Sequence, residues 1–431
     1  MKRLVLCAAV IMLSFSAAAA DFYVSSAPEL SQALAAAADG DRIVLRPGEY
    51  AGNFVISKKI KLKGSPGAFI DAKGKGTALL IRSSDAEVSD LGIKNFGSDL
   101  YERDAGVRID EGFKNVRLHQ LNITGPGFGV RADRTENVTV ENCEIRGERK
   151  MHVLDRGDGV YFNYVKNASL SGNKVHYTRD GFYFENTDNT DSRGNSFAGL
   201  QYGIHYMFTR GDRAQDNKAR AVIGGYALMS SERIRLENSE SQGAVEFGVL
   251  LNETKDSIVR GNKAVKTHNR RGRRELDTEG KGLFIYGAGA NIVENNTFEG
   301  NDVGIGIALG GEENTLTRNR IINNRLQVRY VGSSRLEWSS GKIGNYWSGY
   351  QGWDLNRDGI GDVPYQPNDS LDRLFWLYPQ IRFLMESPLI VLLKFMTAKF
   401  DFDKDKGVTD SYPLIVDPDS VSAERVSNER S

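Results

Sequence analysis

The sequence predicts an all-β fold wound as a parallel β-helix, and two observations carry that prediction. A short phrase, glycine followed by apolar-x-apolar, returns as Gly106-Val-Arg-Ile, Gly129-Val-Arg-Ala, Gly159-Val-Tyr-Phe, Gly181-Phe-Tyr-Phe, Gly203-Ile-His-Tyr, Gly225-Tyr-Ala-Leu, Gly248-Val-Leu-Leu, Gly282-Leu-Phe-Ile and Gly304-Ile-Gly-Ile. Its steps are 23, 30, 22, 22, 22, 23, 34 and 22 residues, and a fixed period of this size built from strand-like phrases belongs to a solenoid. A second phrase, apolar-x-x-x-Asn, keeps the same beat at Asn142, Asn173, Asn195, Asn217, Asn238, Asn262, Asn296 and Asn319. Asparagine tolerates a left-handed corner and bonds the asparagine of the next coil, so this column is expected to form a ladder.

The first element is a secretory signal over 1–20: Lys2 and Arg3, an apolar run from Leu4 to Phe15, then small residues ending at Ala20. The expected destination is the periplasm. Removing the signal removes Cys7 and leaves only Cys143, so no internal disulfide is expected. Residues 21–105 read as an N-terminal cap and first coils, with an alanine-rich helix from Ala27 to Ala38 stopped by Asp39-Gly40. An open β-helix end exposes unpaired backbone, which is the reason to place a helix there.

The repeats occupy 106–343. Successive strand residues point to opposite faces, so the positions one and three after each glycine form two core columns, and those two and four after it face outward. The two long steps locate insertions near 147–156 and 267–280. In solenoids such insertions become loops on one face, often the binding face. The second holds Arg270, Arg271, Arg273 and Arg274, which suits either a solvated loop or docking to an acidic surface. Beyond the repeats come a turn-rich segment, 344–373, an apolar segment, 374–400, and a polar tail, 401–431. The apolar segment is interrupted by Arg382, Glu386 and Lys394 and makes a poor membrane span. A segment of this length outside the repeat, carrying Phe383, Leu384, Leu389, Leu392, Phe395 and Met396, must be buried somewhere. Lys plus Arg and Asp plus Glu number 56 each, so no basic field exists to hold nucleic acid.

The outward columns carry the unusual chemistry. Met207 and Met229 stand four residues after consecutive glycines, and His205 lies two positions before Met207 on the same strand. Two thioethers beside an imidazole form a soft-ligand patch of the kind that selects Cu(I). Met151, His152 and His176 are secondary candidates from the neighbouring insertion and coil. The plainer reading makes the methionines gap-fillers under a loop. Asp354, Asn356, Asp358 and Asp362, with Gly359, match the first nine positions of a calcium loop, although position twelve is Tyr365 rather than glutamate. These four are expected either to hold a structural calcium or to cap a turn. Outward Asp110, Asp133, Glu185, Arg108 and Arg131 keep a different class of function in play, a periplasmic polysaccharide lyase, epimerase or carbohydrate-binding protein. They equally suit a solvated ladder of ion pairs.

The signal, the coils, Arg156-Gly-Asp-Gly-Val, Arg179-Asp-Gly-Phe-Tyr-Phe, Tyr202-Gly-Ile-His-Tyr-Met, Tyr226-Ala-Leu-Met-Ser and Gly344-Asn-Tyr-Trp together resemble the NosD family, periplasmic β-helix proteins of nitrous oxide reductase maturation. The resemblance covers nearly the whole mature chain. It implies a right-handed, pectin-lyase-like solenoid with an N-terminal helical cap and a C-terminal non-repeat helical extension. It further implies a non-catalytic partner of an ABC-type ATPase and membrane permease, associated with the inner membrane, with the apolar segment 374–400 and its Phe383, Leu384, Leu389, Leu392, Phe395 and Met396 docking on the periplasmic side of the permease. Such a protein receives copper from a lipoprotein chaperone and supports assembly of the copper centres of nitrous oxide reductase. On this resemblance His205, Met207 and Met229 become the leading transient Cu(I) contacts. The chain has no Gly-x-x-x-x-Gly-Lys-Ser/Thr loop, so ATP hydrolysis is assigned to the partner.

Overall fold

The computed structural model describes residues 19–269, 279–330, 332, 334–367, 387–388, 392 and 407–419. Among them the chain winds through three parallel sheets, visited in the order A, B, C and then A again. Sheet A has 13 strands, from Asp21–Val24 to Thr315–Thr317; sheet B has 13, from Gly48–Ala51 to Tyr346–Trp347; sheet C has 12, from Phe54–Ile56 to Leu326–Tyr330. Each strand pairs in register with its counterpart one coil away, as Val160 does with Phe182 and Phe182 with Ile204. The helix Ala27–Ala36, N-capped by Ser26, buries Leu30, Ala33 and Leu34 against the first strands of all three sheets.

The repeated phrase opens nine of the twelve strands of sheet C, and its spacing follows from sterics. A Cβ on Gly129 would lie 2.4 Å from the Gly159 carbonyl oxygen, and one on Gly181 would lie 2.4 Å from that of Gly203. The chain turns into sheet C so tightly against the next coil that only glycine fits. Both core columns point inward as alternation requires: Val107, Val160, Phe182, Ile204 and Leu283 are fully buried, as are Ile109, Phe162, Phe184, Tyr206 and Ile285.

The asparagine ladder is present with a shift at two places. Asn173, Asn195 and Asn217 stack at the A–B corner, the Asn173 and Asn195 side-chain amides each donating to the side-chain oxygen of the next at 2.9 and 3.0 Å, and Asn262, Asn296, Asn319 and Asn345 continue the pattern. Asn142 and Asn238 stand one residue outside this column, in the left-handed position with φ of 52° and 49°. Cys143 and Ser239 take the inner places: the amides of Cys143 and Ser239 donate to Asn173 and Asn262. Cys143 is therefore a small buried column residue, its thiol pushed up to about 11 by burial.

The far end of the solenoid is closed by residues from the stretch expected to be a polar tail. Gly407–Thr409 pairs with Arg335–Glu337. Buried Asp410 ends the ladder, accepting from the Asn345 amide at 2.7 Å and the Trp347 indole at 2.8 Å. Asp417 takes the Arg320 guanidinium through two bonds. The described residues on either side of 368–406 both lie at this end of the β-helix, where Tyr365 bridges Asp410. The expected helical extension and five of its docking residues, Phe383, Leu384, Leu389, Phe395 and Met396, lie outside the described residues; Leu392 is exposed. Most of the signal segment and Arg270, Arg271, Arg273 and Arg274 also lie outside them.

Buried carboxyls give the solenoid a pH-dependent stability. Asp212 sits inside the coil stack, accepting from Thr187 and the Thr190 amide, and burial pushes it up to about 7. Its folded value lies above the ordinary 3.8, so the stability it lends is full below that value and is lost as pH rises toward 7. Asp212→Asn keeps the shape and the bond from the Thr190 amide, and presents a donor instead of an acceptor to Thr187, as the protonated carboxyl does. Urea unfolding midpoints of this variant should therefore be flatter across that range and higher at pH 8, by on the order of 2 kcal/mol; an unchanged profile would show the carboxyl to be innocent.

Candidate functional site

Both insertions leave at the same corner, between sheets B and C. The first joins Glu144–Arg146 to Val160–Asn163, and the second joins Lys263–Val265 to Lys281–Ala288. Five coil steps separate them, so they bracket about 24 Å of the outer face of sheet C at roughly 4.8 Å per step. The first insertion is folded around Arg156, 8% exposed, whose guanidinium meets only carbonyl oxygens: Met151 at 2.7 and 3.1 Å, Arg149 at 3.0 Å and Gly199 at 3.5 Å. The second is held at both ends by one carboxylate, Asp302, which accepts from the Asn269 and Gly280 amides at 2.9 and 3.0 Å.

Between the insertions the outward column two after the glycine runs Arg131, Tyr161, Tyr183, His205, Ala227, Leu250, Phe284, each in register with the next. The column four after it runs Asp133, Asn163, Glu185, Met207, Met229, Asn252. Met207 and Met229 are direct cross-strand partners, and His205 projects on the same face as Met207. These three candidates are brought together.

His205 is held from three sides. Its ring stacks on Tyr183 at 4.5 Å and meets Tyr202 edge-on at 5.2 Å, while Nδ1 lies 3.0 Å from the Asp180 carboxylate. That contact directs the other nitrogen, Nε2, away from the carboxylate, and Nε2 is buried with no hydrogen-bond partner. Asp180 in turn accepts the Tyr202 amide at 3.1 Å and donates its own amide to Asp158 at 3.0 Å. Asp158 is fully buried against the Arg179 guanidinium at 2.6 and 2.9 Å; burial raises its carboxyl to about 6 in spite of that partner. A carboxylate behind an imidazole fixes the tautomer and aims the free nitrogen, an arrangement that metal-binding histidines use.

Beyond His205 the face turns apolar. Ala227, Phe247 and Leu250 are buried although they point away from the coil interior, and Tyr202, Met229 and Phe284 pack on them as a second small cluster outside the sheet. Ala227 is the small member of the histidine's column and brings no bulk against the imidazole. The Met229 thioether thus packs in an apolar cluster on the coil next to that of His205.

The secondary candidates are not gathered there. His176 belongs to sheet B, in register with Arg146 and Ala198, and burial lowers its imidazole pKa. Met151 and His152 lie on the first insertion; His152 is exposed, and its Nδ1 accepts the Leu154 amide at 3.4 Å. The calcium-like loop spends its carboxylates on its own backbone: Asp354 accepts the Asp358 and Gly359 amides, Asp358 that of Ile360, and Asp362 that of Leu355. Among the described residues no three His, Cys, Asp or Glu side chains are grouped to hold a metal.

The comparisons point the same way. Residues 137–352, which contain the whole patch, match the family model described as "Periplasmic copper-binding protein (NosD)". A protein of Stutzerimonas stutzeri named "Probable ABC transporter binding protein NosD" is 39% identical over 411 residues, 94% of this chain and 93% of that protein. Its namesake in Pseudomonas aeruginosa is 38% identical over 88% of this chain and 89% of its own length. Among solved structures, the A-module of the Azotobacter vinelandii mannuronan C-5 epimerase AlgE4 aligns with a TM-score of 0.56 at 17% identity, over 71% of this chain and 94% of that one. The GH136 lacto-N-biosidase of Eubacterium ramulus gives 0.56 at 13% identity, over 71% and 68%. At such identities these enzymes share the fold alone, whereas the matches over nearly the full length settle kinship: the chain belongs to the NosD family.

Proposed function

We propose that this chain is a periplasmic copper-handling subunit of an ABC-type complex, in which His205, Met207 and Met229 take up Cu(I) transiently for the copper centres of nitrous oxide reductase. The observation that carries the reading is the His205 Nε2, buried, unpartnered and backed by Asp180, on the same face as a register-paired couple of thioethers. One imidazole and two thioethers in apolar surroundings suit a soft monovalent ion better than a hard divalent one. Copper here is cargo: the residues hold it, exclude water and release it to a protein partner. Titrating the mature chain with Cu(I) under reducing conditions tests this, with X-ray absorption expected to give a mixed nitrogen and sulfur shell. A shell of oxygen and nitrogen alone would defeat the assignment.

The lyase or epimerase reading finds less support in the same face. Such chemistry needs a base poised near the working pH. Burial pushes the Tyr183 phenol up to about 12 and Tyr161 higher still, and Arg131 is paired with Asp133 at 2.8 Å. Turnover of a uronate polymer by the purified protein would revive it.

The apolar excursion 374–400 is assigned to docking on the membrane permease, with the copper-chaperone lipoprotein meeting the face between the insertions. Among the described residues no helix is long and apolar enough to cross a membrane. Replacing 368–406 by a short Gly/Ser linker should abolish permease association in a pull-down and leave the thermal midpoint within a few degrees. Truncation from Leu374 also removes Asp410 and Asp417, which close the last coils, and should lower that midpoint. Permease binding retained by the linker variant would end the docking assignment.

A further inference from the structure

Besides Asp180, which is engaged behind the His205 ring, a second carboxylate stands next to the proposed copper patch and is held by another partner. Glu185 is the direct cross-strand partner of Met207, one coil earlier on the same outer face, and lies diagonal to His205. By strand geometry its α-carbon is about 4.8 Å from that of Met207 and roughly 8 Å from that of His205. Glutamate and histidine side chains together span such distances to a common ion. Glu185, however, accepts the hydroxyl hydrogen of Tyr161, from the coil before it.

Tyr161 is itself well fixed. Its ring meets Tyr183 edge-on at 5.2 Å and Phe128 at 5.3 Å, and the Arg131 guanidinium lies over it at 4.4 Å. Arg131 is locked by Asp133. The phenol that clasps Glu185 is thus anchored on the side away from the methionines, and it draws the carboxylate toward that side.

We propose that Tyr161 is a specificity-determining residue: by clasping Glu185 it keeps an oxygen ligand out of the His205–Met207–Met229 patch, so that the site takes Cu(I) and rejects Zn(II) and Cu(II). The inference rests on the copper reading of that patch. An imidazole with two thioethers is a poor site for a hard or borderline divalent cation, whereas adding one carboxylate gives a mixed nitrogen and oxygen set that such ions accept. Specificity here comes from a ligand withheld, the repulsive half of discrimination.

The test uses the full mature chain, with Zn(II) alone and Cu(I) alone as probes, each measured by competition with a chromophoric chelator. Tyr161→Phe keeps the ring and removes only the hydroxyl. It should raise Zn(II) affinity by about tenfold or more while moving Cu(I) affinity by less than about threefold. Tyr161→Phe combined with Glu185→Gln should return Zn(II) affinity to the wild-type value, and near-identical circular dichroism melts would show that all variants fold. Unchanged Zn(II) affinity in Tyr161→Phe, with wild-type Cu(I) binding intact, overturns the clasp and leaves the copper reading standing. Failure of the wild-type chain to bind Cu(I) overturns both.

Discussion

Exchanging Met207 and Met229 together for leucine is expected to lower Cu(I) affinity about a hundredfold or more, at least as much as outer-shell changes do in metal sites. Leucine keeps nearly the volume of methionine and cannot ligate, so the packing of Met229 on Ala227, Phe247 and Leu250 persists and stability should change by less than about 1.5 kcal/mol. The alanine pair would mix the two effects by opening space in that cluster. Chelator competition under reducing conditions gives the affinity, and urea unfolding gives the stability. Each single variant should retain a two-coordinate set with His205, so the loss should steepen sharply only in the double. A double-leucine chain that still binds Cu(I) tightly and still matures nitrous oxide reductase would reduce the methionines to gap-fillers.

The largest effect on stability is expected from Asn296→Ala. The Asn296 carbonyl oxygen accepts both the backbone amide and the side-chain amide of Asn262, and its own side-chain amide donates to Asn319 and to the Val259 carbonyl. Alanine strands the two buried Asn262 donors and removes the bond to the Val259 carbonyl, while the Asn319 oxygen keeps only the backbone amide of residue 296. At about 1–3 kcal/mol for each orphaned group, with part recovered by relaxation, the loss should be about 3–5 kcal/mol. Asn296→Ser is the milder control, because Ser239 already serves in this column. An unfolding midpoint for the alanine variant within experimental error of wild type would mean that the ladder is ornamental and that core burial alone holds the coils.

The periodic parts of this molecule could be read directly, because a column repeated every coil is sampled many times by the sequence. The glycine opening sheet C, the inward Val, Phe and Ile columns and the outward placing of His205, Met207 and Met229 all follow from one register. What failed to show was whatever occurs once. Asp180, which orients His205, precedes the glycine from which the alternation was counted, and the contact joins residues 25 apart. Ala227 and Leu250 fall in an outward column and do leave the core, but into a second apolar cluster that only the stacked neighbours create. Asn142 and Asn238 misled by one place because asparagine suits both the left-handed corner and the ladder beside it. Residues 407–419 carry no repeat at all, and their role depends on pairings such as Arg320 with Asp417, 97 positions apart.

That closure has a consequence for how the cell can tell a finished chain from an unfinished one. Over the last coils, from Asn262 through Asn296 and Asn319 to Asn345, each side-chain amide donates to the side-chain oxygen of the next, and the run ends on a group that accepts without donating. Asp410, a carboxylate taking bonds from Asn345 and Trp347, is that group. A polypeptide cut anywhere before it leaves the last completed coil with buried donors unanswered and three sheet edges bare, a state open to proteases and to edge-to-edge association. Completeness of the chain and soundness of the fold thereby become one property, set by a single aspartate that no periodic pattern announces.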